Sequence, residues 1–406
     1  RFILLHRRRL FNPSENVWMG WERKRGKLHE LNRLLRGATD TTFIAIQGKL
    51  PCVPSDVRYV ITLDADTRLP REAALRLIGK MAHPLNRPRL DKVKQRVVAG
   101  YGILQPRVTP SLSVGTEGSL FQRIFSSPGG IDPYAAAISD VYQDLFGEGS
   151  FTGKGIYDVD MFEAALAGRV PTNVMLSHDL YEGIFARAGL VSDVEVVEEF
   201  PARYDAAAKR QHRWMRGDWQ LLPWIVSKSS EQGVPSLGRW KLLDNLRRSL
   251  VAPTTLLALT LSWLMFPSSA LFFTAVLLVF MAIPPLLPCI FSLVPQRSGV
   301  DTGNHFRLWL GDLRLALSQI FLSIAFLPDQ CWRSLDAITR TLFRLGVTHQ
   351  RCLEWATAAH SNASPRLKML GFYQNMACGT LLALTVCLFV IVVNPAVWLL
   401  VLPFAL

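Results

Sequence analysis

Two carboxylates stand one residue apart in the stretch YVITLDADTRLP, residues 59–70, directly after an apolar and β-branched run. A turn at this point would let Asp64 and Asp66 face the same ion. Mg²⁺ in proteins prefers one or two carboxylates together with the phosphate oxygens of a substrate. The alternative is a polar turn in which an aspartate caps the following helix. The spacing alone leaves both interpretations open.

A third carboxylate, Asp179, follows Ser177 and His178 and precedes the helical pattern LYEGIFARAG. Its position suits a helix N-cap without any further function. It also suits a general base, which must lie beside the hydroxyl group that it deprotonates.

The stretch GEGSFTGKGIYD, residues 147–158, looks at first like a phosphate-binding loop. A P-loop needs four residues between its glycines and a Ser or Thr after its Lys. Here three residues separate Gly149 from Gly153, and Gly155 follows Lys154, so we reject a P-loop. The small residues favour either a loop that a bulky polar substrate can approach or a simple turn.

Basic and aromatic residues alternate in KRQHRWMRGDWQLLPW, residues 209–224. Arg210 and Arg213 could grip a diphosphate, and Trp214 could stack on a sugar. The alternative is an amphipathic helix leading to a membrane, with tryptophans as interfacial anchors. We favour the membrane-anchor interpretation for Trp224 alone.

Short β-branched runs alternate with helical patterns before residue 245 and predict an α/β domain with a mainly parallel sheet. The predicted strands are 2–6, 43–47, 58–63, 97–104 and 193–200, and the predicted helices are 27–36, 72–82, 159–167, 179–188 and 205–228. Ligands of such sheets bind beyond the carboxyl ends of the strands, where Asp64 and Asp66 are expected.

Residues 251–294 are almost free of charge, which is enough for two membrane spans. Residues 376–406 carry no charged residue and predict one or two more spans. Between them we expect interfacial helices around residues 331–360, and the apolar stretch 315–328 leaves a further span open.

The net charge of +13 suits a nucleic acid, a membrane surface or a phosphate-bearing substrate. The basic residues are spread out rather than gathered in one recognition helix, so we expect no nucleic-acid partner. Arginines beside the apolar stretches predict a cytoplasmic N-terminal domain. The six cysteines form no C-x-x-C pair, which favours a reducing compartment and argues against a zinc site.

The order D-x-D, lone Asp, R-x-x-R-W and membrane spans resembles the processive family 2 glycosyltransferases, including cellulose and hyaluronan synthases. Those enzymes usually carry Q-x-x-R-W, whereas Arg210 stands at the first position here. Several longer segments resemble the cyclic β-1,2-glucan synthases, namely RFILLHRRRLFNPSENVWMGWERKRGKLHELNRLL, TLDADT, GEGSFTGKGIYDVD, SHDLYEG and RWMRGDWQ.

This resemblance implies a GT-A-like α/β fold, a UDP-glucose donor, a growing glucan acceptor, Mg²⁺ or Mn²⁺, and inversion at the anomeric carbon. It places the metal on Asp64 and Asp66 and makes Asp179 the base that deprotonates the glucan 2-hydroxyl. The same resemblance assigns diphosphate binding to Asp64, Asp66, Lys24, Arg25, Lys27, Arg210 and Arg213. It assigns the acceptor side to Trp214, Lys154, Gly153 and His178.

The resemblance also implies a multi-pass protein of the bacterial inner (cytoplasmic) membrane. The expected divisions are a cytoplasmic glycosyltransferase domain over 1–245, two spans over 246–295, interfacial helices over 296–375 and one or more spans over 376–406. Relatives carry further N-terminal strands and a C-terminal phosphorylase-like region, so we expect this chain to be a piece of a longer parent. The alternatives are a synthase of another polysaccharide and a non-catalytic membrane scaffold or transporter.

Overall fold

The structure is a computed structural model that describes residues 2–45, 53–111, 119–126, 140–227, 230, 232–295, 301–355 and 369–404. The strands of these residues are β1 (Leu10–Asn12), β2 (Val17–Met19), β3 (Tyr59–Thr62), β4 (Thr67–Arg68), β5 (Arg89–Asp91), β6 (Arg96–Ala99), β7 (Ile103–Pro110), β8 (Gly155–Asp158) and β9 (Ala188–Glu198).

Helices fall into a first group that surrounds the sheet and a second group that is long and apolar. The first group is α1 (Arg23–Leu35), α2 (Ala73–Ala82), α3 (Leu120–Phe125), α4 (Val141–Phe146), α5 (Val159–Leu166), α6 (Asp179–Phe185), α7 (Tyr204–Gln220) and α8 (Leu222–Val226). The second group is α9 (Ser236–Met265), α10 (Ala270–Phe291), α11 (Thr302–Ala325), the more polar α12 (Leu327–Phe343), α13 (Met369–Val393) and the short α14 (Trp398–Val401).

The central sheet has five strands in the order β3-β8-β7-β9-β4. Strands β7 and β9 run parallel, but β8 is antiparallel to β3 and β7, and β4 is antiparallel to β9. The α/β class is confirmed, whereas the prediction of a mainly parallel sheet is wrong for the described strands. Strand β8, which the sequence did not predict, lies between β3 and β7 and is antiparallel to both.

Both faces of the sheet are covered, which explains why its strands read as continuous apolar runs. On one face Leu77 of α2 packs in a cluster with Leu104 of β7. On the other face Phe185 of α6 belongs to a cluster with Ile103. Each such fully buried side chain contributes roughly 2 kcal/mol to folding, so the helices that carry the candidate site are firmly seated.

The predicted strand at residues 2–6 is wrong, since Phe2 and Leu4 are exposed and the segment carries no strand. In the described chain this region forms only a single bridge between Arg7 and Phe43. Next to this bridge, the amide of Ile44 donates to the carbonyl of His6 at 2.8 Å. Of the second predicted strand, residues 46 and 47 lie outside the described ranges.

The observed boundaries of other strands and helices differ from the predicted ones for local reasons. The predicted strand 97–104 covers parts of β6 and β7, and β6 pairs with β5 in a separate hairpin. The predicted helix 205–228 is divided after Gln220, because Pro223 lacks an amide hydrogen and begins a new helix. Helix α6 ends at Phe185, because the chain enters β9 three residues later at Ala188.

Within the described ranges, four helical segments are long and apolar enough to cross a membrane, by length and composition. They are Ser236–Met265, Pro267–Phe291, Thr302–Ala325 and Leu370–Val393, with a shorter apolar helix at Pro395–Phe404. Phe272 and Phe280 of α10 are 65% and 67% exposed. Large exposed apolar faces of this kind suit a lipid environment, and the chain therefore has an α/β domain followed by a helical membrane region.

Helix α9 belongs to both halves of the molecule. Leu242 near its start packs in the same core as Ile184 of α6. Leu259 and Trp263 near its end form the core of the apolar helices. Lys241 is buried and donates to the backbone carbonyls of Glu148 and Gly149, each at 2.8 Å.

Two polar clusters of similar composition join α7 to α12. Each contains an aspartate of α12, an arginine one turn later on α12, and one side chain of α7. The first α7–α12 cluster is Tyr204, Asp329 and Arg333, and the second α7–α12 cluster is His212, Asp336 and Arg340.

Candidate functional site

Asp64, just beyond the end of β3, lies between two lysines. Lys24 Nζ of α1 donates to Asp64 Oδ1 at 2.6 Å, and Lys154 Nζ lies 3.4 Å from Asp64 Oδ2. Burial raises the pKa of this carboxyl, but the two ammonium groups outweigh burial and leave the pKa lowered. Lys24 also donates to the carbonyl of Gly153 at 2.8 Å, so α1 and the 147–158 loop meet at Asp64.

Asp66 is in a different electrostatic environment. Its carboxylate forms no hydrogen bond or ion pair with another side chain of the described residues. Burial raises the pKa of Asp66, and the nearby carboxylate of Glu198 raises it further. A cation relieves such uncompensated negative charge. The hard oxygen donors of Asp66 and Asp64 therefore fit a divalent ion of the Mg²⁺ type.

Glu198, the last residue of β9, organises the basic side of the site. It is buried, it lies 3.1 Å from Lys154 Nζ through Oε2, and it accepts a hydrogen bond from Arg210 through Oε1. Glu198 thereby fixes a lysine from the loop and an arginine from α7 beside Asp66.

Asp179 begins α6, as the sequence predicts, but its side chain is not used to cap the helix. Its Oδ1 is buried and has no hydrogen-bond partner among the described residues, whereas the side chain as a whole keeps 26% exposure. The accessible part of the carboxylate is therefore on its other side. An acceptor hydroxyl could reach a carboxylate that is open in this way.

Gly153 makes room for this carboxylate. Its φ of +83° is rare for residues with a side chain, and a Cβ at this position would lie 2.5 Å from Asp179 Oδ1. The glycine of the 147–158 loop is thus required by a close approach to Asp179. This confirms neither a role in acceptor binding nor a simple turn, but it places the loop against the candidate base.

His178 and Glu182 lie behind Asp179 and are both buried. His178 Nδ1 lies 2.8 Å from Glu182 Oε1 and 3.5 Å from Asp179 Oδ1. Burial lowers the pKa of His178, but Glu182 and Asp179 outweigh it and leave the pKa raised. With 4% exposure, His178 faces these two carboxylates rather than the open side of the site.

Arg213 of α7 is a half-buried cation without a paired anion among the described residues. In the described chain its guanidinium forms no hydrogen bond or ion pair, although it lies over the ring of Trp355 at 5.3 Å from the centroid. Burial and the neighbouring Arg210 lower its pKa to about 10, while Asp64, Asp66 and Asp179 oppose the shift. The three sequence-predicted carboxylates therefore all act on this one guanidinium.

Trp214 and Arg210 line an open groove. The Arg210 guanidinium lies 4.6 Å from the centroid of the Trp214 ring, a cation–π geometry. The groove is lined by Val108, Pro110, Glu198, Glu199, Phe200, Pro201, Ala207, Arg210, Gln211 and Trp214. An indole beside an apolar groove with a carboxylate and a guanidinium suits a sugar, which has both apolar faces and hydroxyl edges.

A segment after α12 reaches the site from the far end of the chain. Gln220 donates to the carbonyl of Cys352 at 2.7 Å, and Arg216 donates to the carbonyl of Glu354 at 2.5 Å. These bonds hold Trp355 between Arg213 and Arg23, whose guanidinium lies 5.4 Å from the indole centroid.

Two of the predicted basic residues do not reach this centre. Arg25 forms an ion pair with Glu22 at 2.6 Å, although its positive charge also acts on Glu182. Lys27 is exposed on α1 and forms no hydrogen bond or ion pair within the described residues. The structure thus brings Lys24 to Asp64 but leaves Lys27 outside.

Three further residues of the site escaped sequence reasoning, namely Glu198, Glu182 and Trp355. Glu182 could have been suspected, because its spacing of four from His178 places both on one helix face. Glu198 ends a strand and carries no motif, and Trp355 lies more than a hundred residues from α7. Only the tertiary fold brings these two to the site.

No protein-family model matches the chain. Cyclic beta-(1,2)-glucan synthase NdvB of Rhizobium meliloti (strain 1021) is 51% identical to it over 385 residues. The match covers 95% of this chain and 13% of the relative, so the chain spans only a small part of the curated protein's length. The similarity includes the α/β domain and the apolar helices alike.

Proposed function

Because this chain is related by sequence to a segment of a cyclic β-(1,2)-glucan synthase, we propose that it is the glycosyltransferase part of such an enzyme. It uses UDP-glucose to lengthen a β-1,2-linked glucan, with inversion at the anomeric carbon. One observation carries the proposal. The half-buried guanidinium of Arg213, which has no ion pair among the described residues, lies in the field of Asp64, Asp66 and Asp179 together, as a site for a diphosphate flanked by a metal and a base requires.

The diphosphate of the donor binds on the basic side of the site. Arg213 has its donors free for phosphate oxygens, and charge-assisted hydrogen bonds of this kind are the strong ones. Lys24 and Lys154 already lie beside Asp64 and can shift to the phosphates. Arg210 is held by Glu198, so it contributes charge beside the groove.

Asp66, with Asp64, would hold the Mg²⁺ or Mn²⁺ ion that the resemblance implies. Bound there, such an ion supplies positive charge to the leaving diphosphate. The raised pKa of Asp66 and its lack of a paired cation support this assignment.

Asp179 acts as the base in a single displacement. The 2-hydroxyl oxygen of the acceptor glucose forms a bond to C1 of the donor glucose as the bond from C1 to the phosphate oxygen breaks. The hydroxyl proton passes to Asp179, and UDP leaves with the bonding electrons. One base suffices, because no covalent glycosyl intermediate forms. Trp214 and its groove hold the acceptor sugars.

The α/β domain faces the cytoplasm, where sugar nucleotides are made, and the apolar helices cross the inner membrane. An Arg71→Cys variant tests this orientation, since Arg71 is exposed at the start of α2. We expect an impermeant maleimide to label this variant above the wild-type background in broken cells only. Labelling of intact cells would contradict the orientation.

The decisive test of function is incorporation of radiolabelled glucose from UDP-glucose into glucan, in membranes containing the full-length parent protein. Asp179→Asn should abolish incorporation while UDP binding remains, and Asp66→Asn should abolish incorporation and weaken metal-dependent UDP binding. Asp193→Asn is the matched control, because Asp193 pairs with Arg76 and Lys80 on the surface.

Normal incorporation in the Asp179 or Asp66 variant would contradict its assigned role. Linkage analysis of the product separates β-1,2-glucan from the product of a synthase of another polysaccharide.

A further inference from the structure

The candidate base Asp179 forms a group with two buried side chains, His178 and Glu182, that the proposed reaction does not use directly. The ligand atoms of His178, Asp179 and Glu182 lie within 4.8 Å of one another. His178 Nδ1, Asp179 Oδ1 and Glu182 Oε2 are all buried, and none has a hydrogen-bond partner of good geometry within the described part of the chain. Three such atoms turned towards one another would be costly unless opposite charges offset the burial.

The geometry defines an order within the group. Glu182, one helical turn after His178, approaches the imidazole to 2.8 Å, and Asp179 lies farther away at 3.5 Å. Glu182 therefore holds the ring, and the ring faces the buried oxygen of Asp179. The backbone fixes all three, because they share the first turn and a half of α6.

We propose that His178, held by Glu182, is a positioning residue that places a cation beside the carboxylate of Asp179 and keeps that carboxylate turned towards the acceptor. This inference rests on the proposed function, since it assumes that Asp179 is the base. It gives His178 a role different from contact with the acceptor. Glu182 and Asp179 raise the pKa of His178 against the effect of burial, which favours the imidazolium form.

Other charged groups also face the group of three. Lys24 of α1 acts on Asp179, His178 and Glu182, and Arg25 of α1 acts on Glu182. Arg213 of α7 acts on Asp179. These cations remain when His178 is replaced, so the loss of the imidazolium removes only part of the positive charge beside Asp179.

The test is the pH dependence of kcat for glucan synthesis by the full-length parent protein. In His178→Gln the acidic limb of the profile should move up by about one pH unit, the lower end of the range for one opposite charge at this distance. At high pH, kcat should return to near the wild-type value. His178→Lys, which keeps a cation, should leave the limb near its original pH.

Glu182→Gln provides a second variant in case His178→Gln folds poorly. Without Glu182 the buried imidazole loses its main anionic partner and its proton, so the limb should again move up. UDP binding and thermal stability report folding of each variant. His29→Gln is the matched control, because His29 lies 2.8 Å from Glu163 in a similar pair remote from Asp179, and its profile should match the wild type.

An equal loss of kcat at every pH in both variants would overturn the inference and assign the pair a purely structural role. An unshifted limb with wild-type kcat would overturn it as well. If Asp179→Asn were active, the assignment of the base would fail first. If Asp179→Asn were inactive and the limb did not move, only the inference about His178 would fail.

Discussion

Gly153 shows how a single backbone position can govern a reactive group. In Gly153→Ala the new methyl group would collide with Asp179, in addition to the strain of a positive φ. We expect kcat to fall by roughly 10–100-fold, as for small displacements of a catalytic group, while UDP affinity stays close to wild type. Steady-state kinetics of glucan synthesis would measure both.

Gly168→Ala is the matched control for this substitution. Gly168 also has a positive φ, of +70°, but a Cβ there would meet nothing within 4 Å. It should cost about 1 kcal/mol of stability and leave kcat unchanged. Equal kcat in the two variants would show that the contact with Asp179 is unimportant.

Arg213 and Arg216 lie one turn apart on α7. Substitution of Arg213 should affect UDP binding, whereas substitution of Arg216 should affect thermal stability. Arg213→Gln should weaken UDP binding by roughly 10–100-fold, since hydrogen bonds from a charged donor are lost. It should not lower the thermal midpoint, because the guanidinium has no paired anion to leave behind. Arg216→Gln should lower the midpoint instead, since Arg216 binds Glu354.

Isothermal titration with UDP and thermal unfolding in detergent would measure the two effects. A loss of stability in Arg213→Gln, with unchanged UDP affinity, would make Arg213 a structural residue and weaken the proposed diphosphate site.

At the level of elements, the two α7–α12 clusters differ mainly in burial. Tyr204 and Arg333 both donate to Asp329 Oδ2 at 2.6 Å, and the Asp329 side chain is 4% exposed. The Asp336 side chain is 29% exposed. Asp329→Asn should therefore destabilise the fold by about 3–5 kcal/mol, as when one partner of a buried pair is removed.

Asp336→Asn supplies the comparison on the same helix and should cost at most about 1 kcal/mol, as for exposed ion pairs. Thermal unfolding of the two variants under identical conditions would rank them. Similar midpoints would mean that burial of the first cluster contributes little to the docking of α7 on α12.

The sequence predicted those parts of the fold that are encoded locally. Helices α2 and α5 were predicted within a residue or two, and Asp64 does follow a strand, because these features depend on apolar periodicity and turn residues. Strand β8 was missed altogether, since its four residues belong to a stretch, 147–158, whose small residues predict a loop. The segment 2–6 was predicted as a strand from its apolar residues, but β-propensity alone does not make a strand without pairing.

The residues of the candidate site likewise fall into those that stand in local motifs and those that only the tertiary fold brings together. Asp64, Asp179 and Arg213 stand in motifs and were found. Glu198 was not, because its importance comes from Lys154 and Arg210, which reach it from distant parts of the chain. The resemblance assigns Lys24, Arg25 and Lys27 together to the diphosphate, and of these Lys24 contacts Asp64.

At the scale of the whole molecule, the contact between α7 and α9 should make stability depend on pH. Burial raises the pKa of Asp218 to about 7, and Asn245 of α9 donates to its Oδ1 at 3.3 Å. An aspartate in the unfolded chain has a pKa of about 4. The folded state therefore binds an extra proton between these values, and stability falls as the pH rises from about 4 to about 7.

Asp218→Asn removes this charge and should flatten that part of the profile. Its thermal midpoint should exceed that of the wild type at pH 8 and match it more closely at pH 5. Calorimetry or fluorescence in detergent at both pH values would measure the difference. A constant difference between the two proteins at both pH values would contradict a proton bound at Asp218.

Lys241 gives α9 one last property. The helix has 30 residues and a length of about 45 Å; it is docked by Lys241 to the loop of Gly149 at one end and surrounded by apolar helices at the other. It therefore extends from the α/β core into the core of the apolar helices. We expect a thinner or thicker bilayer to change the tilt of the apolar part of α9, and the contact of Lys241 with the loop of Gly149 would pass part of that change, across Pro253, towards Asp179. Lipid chain length should accordingly act on this protein as an effector does, without binding at any pocket.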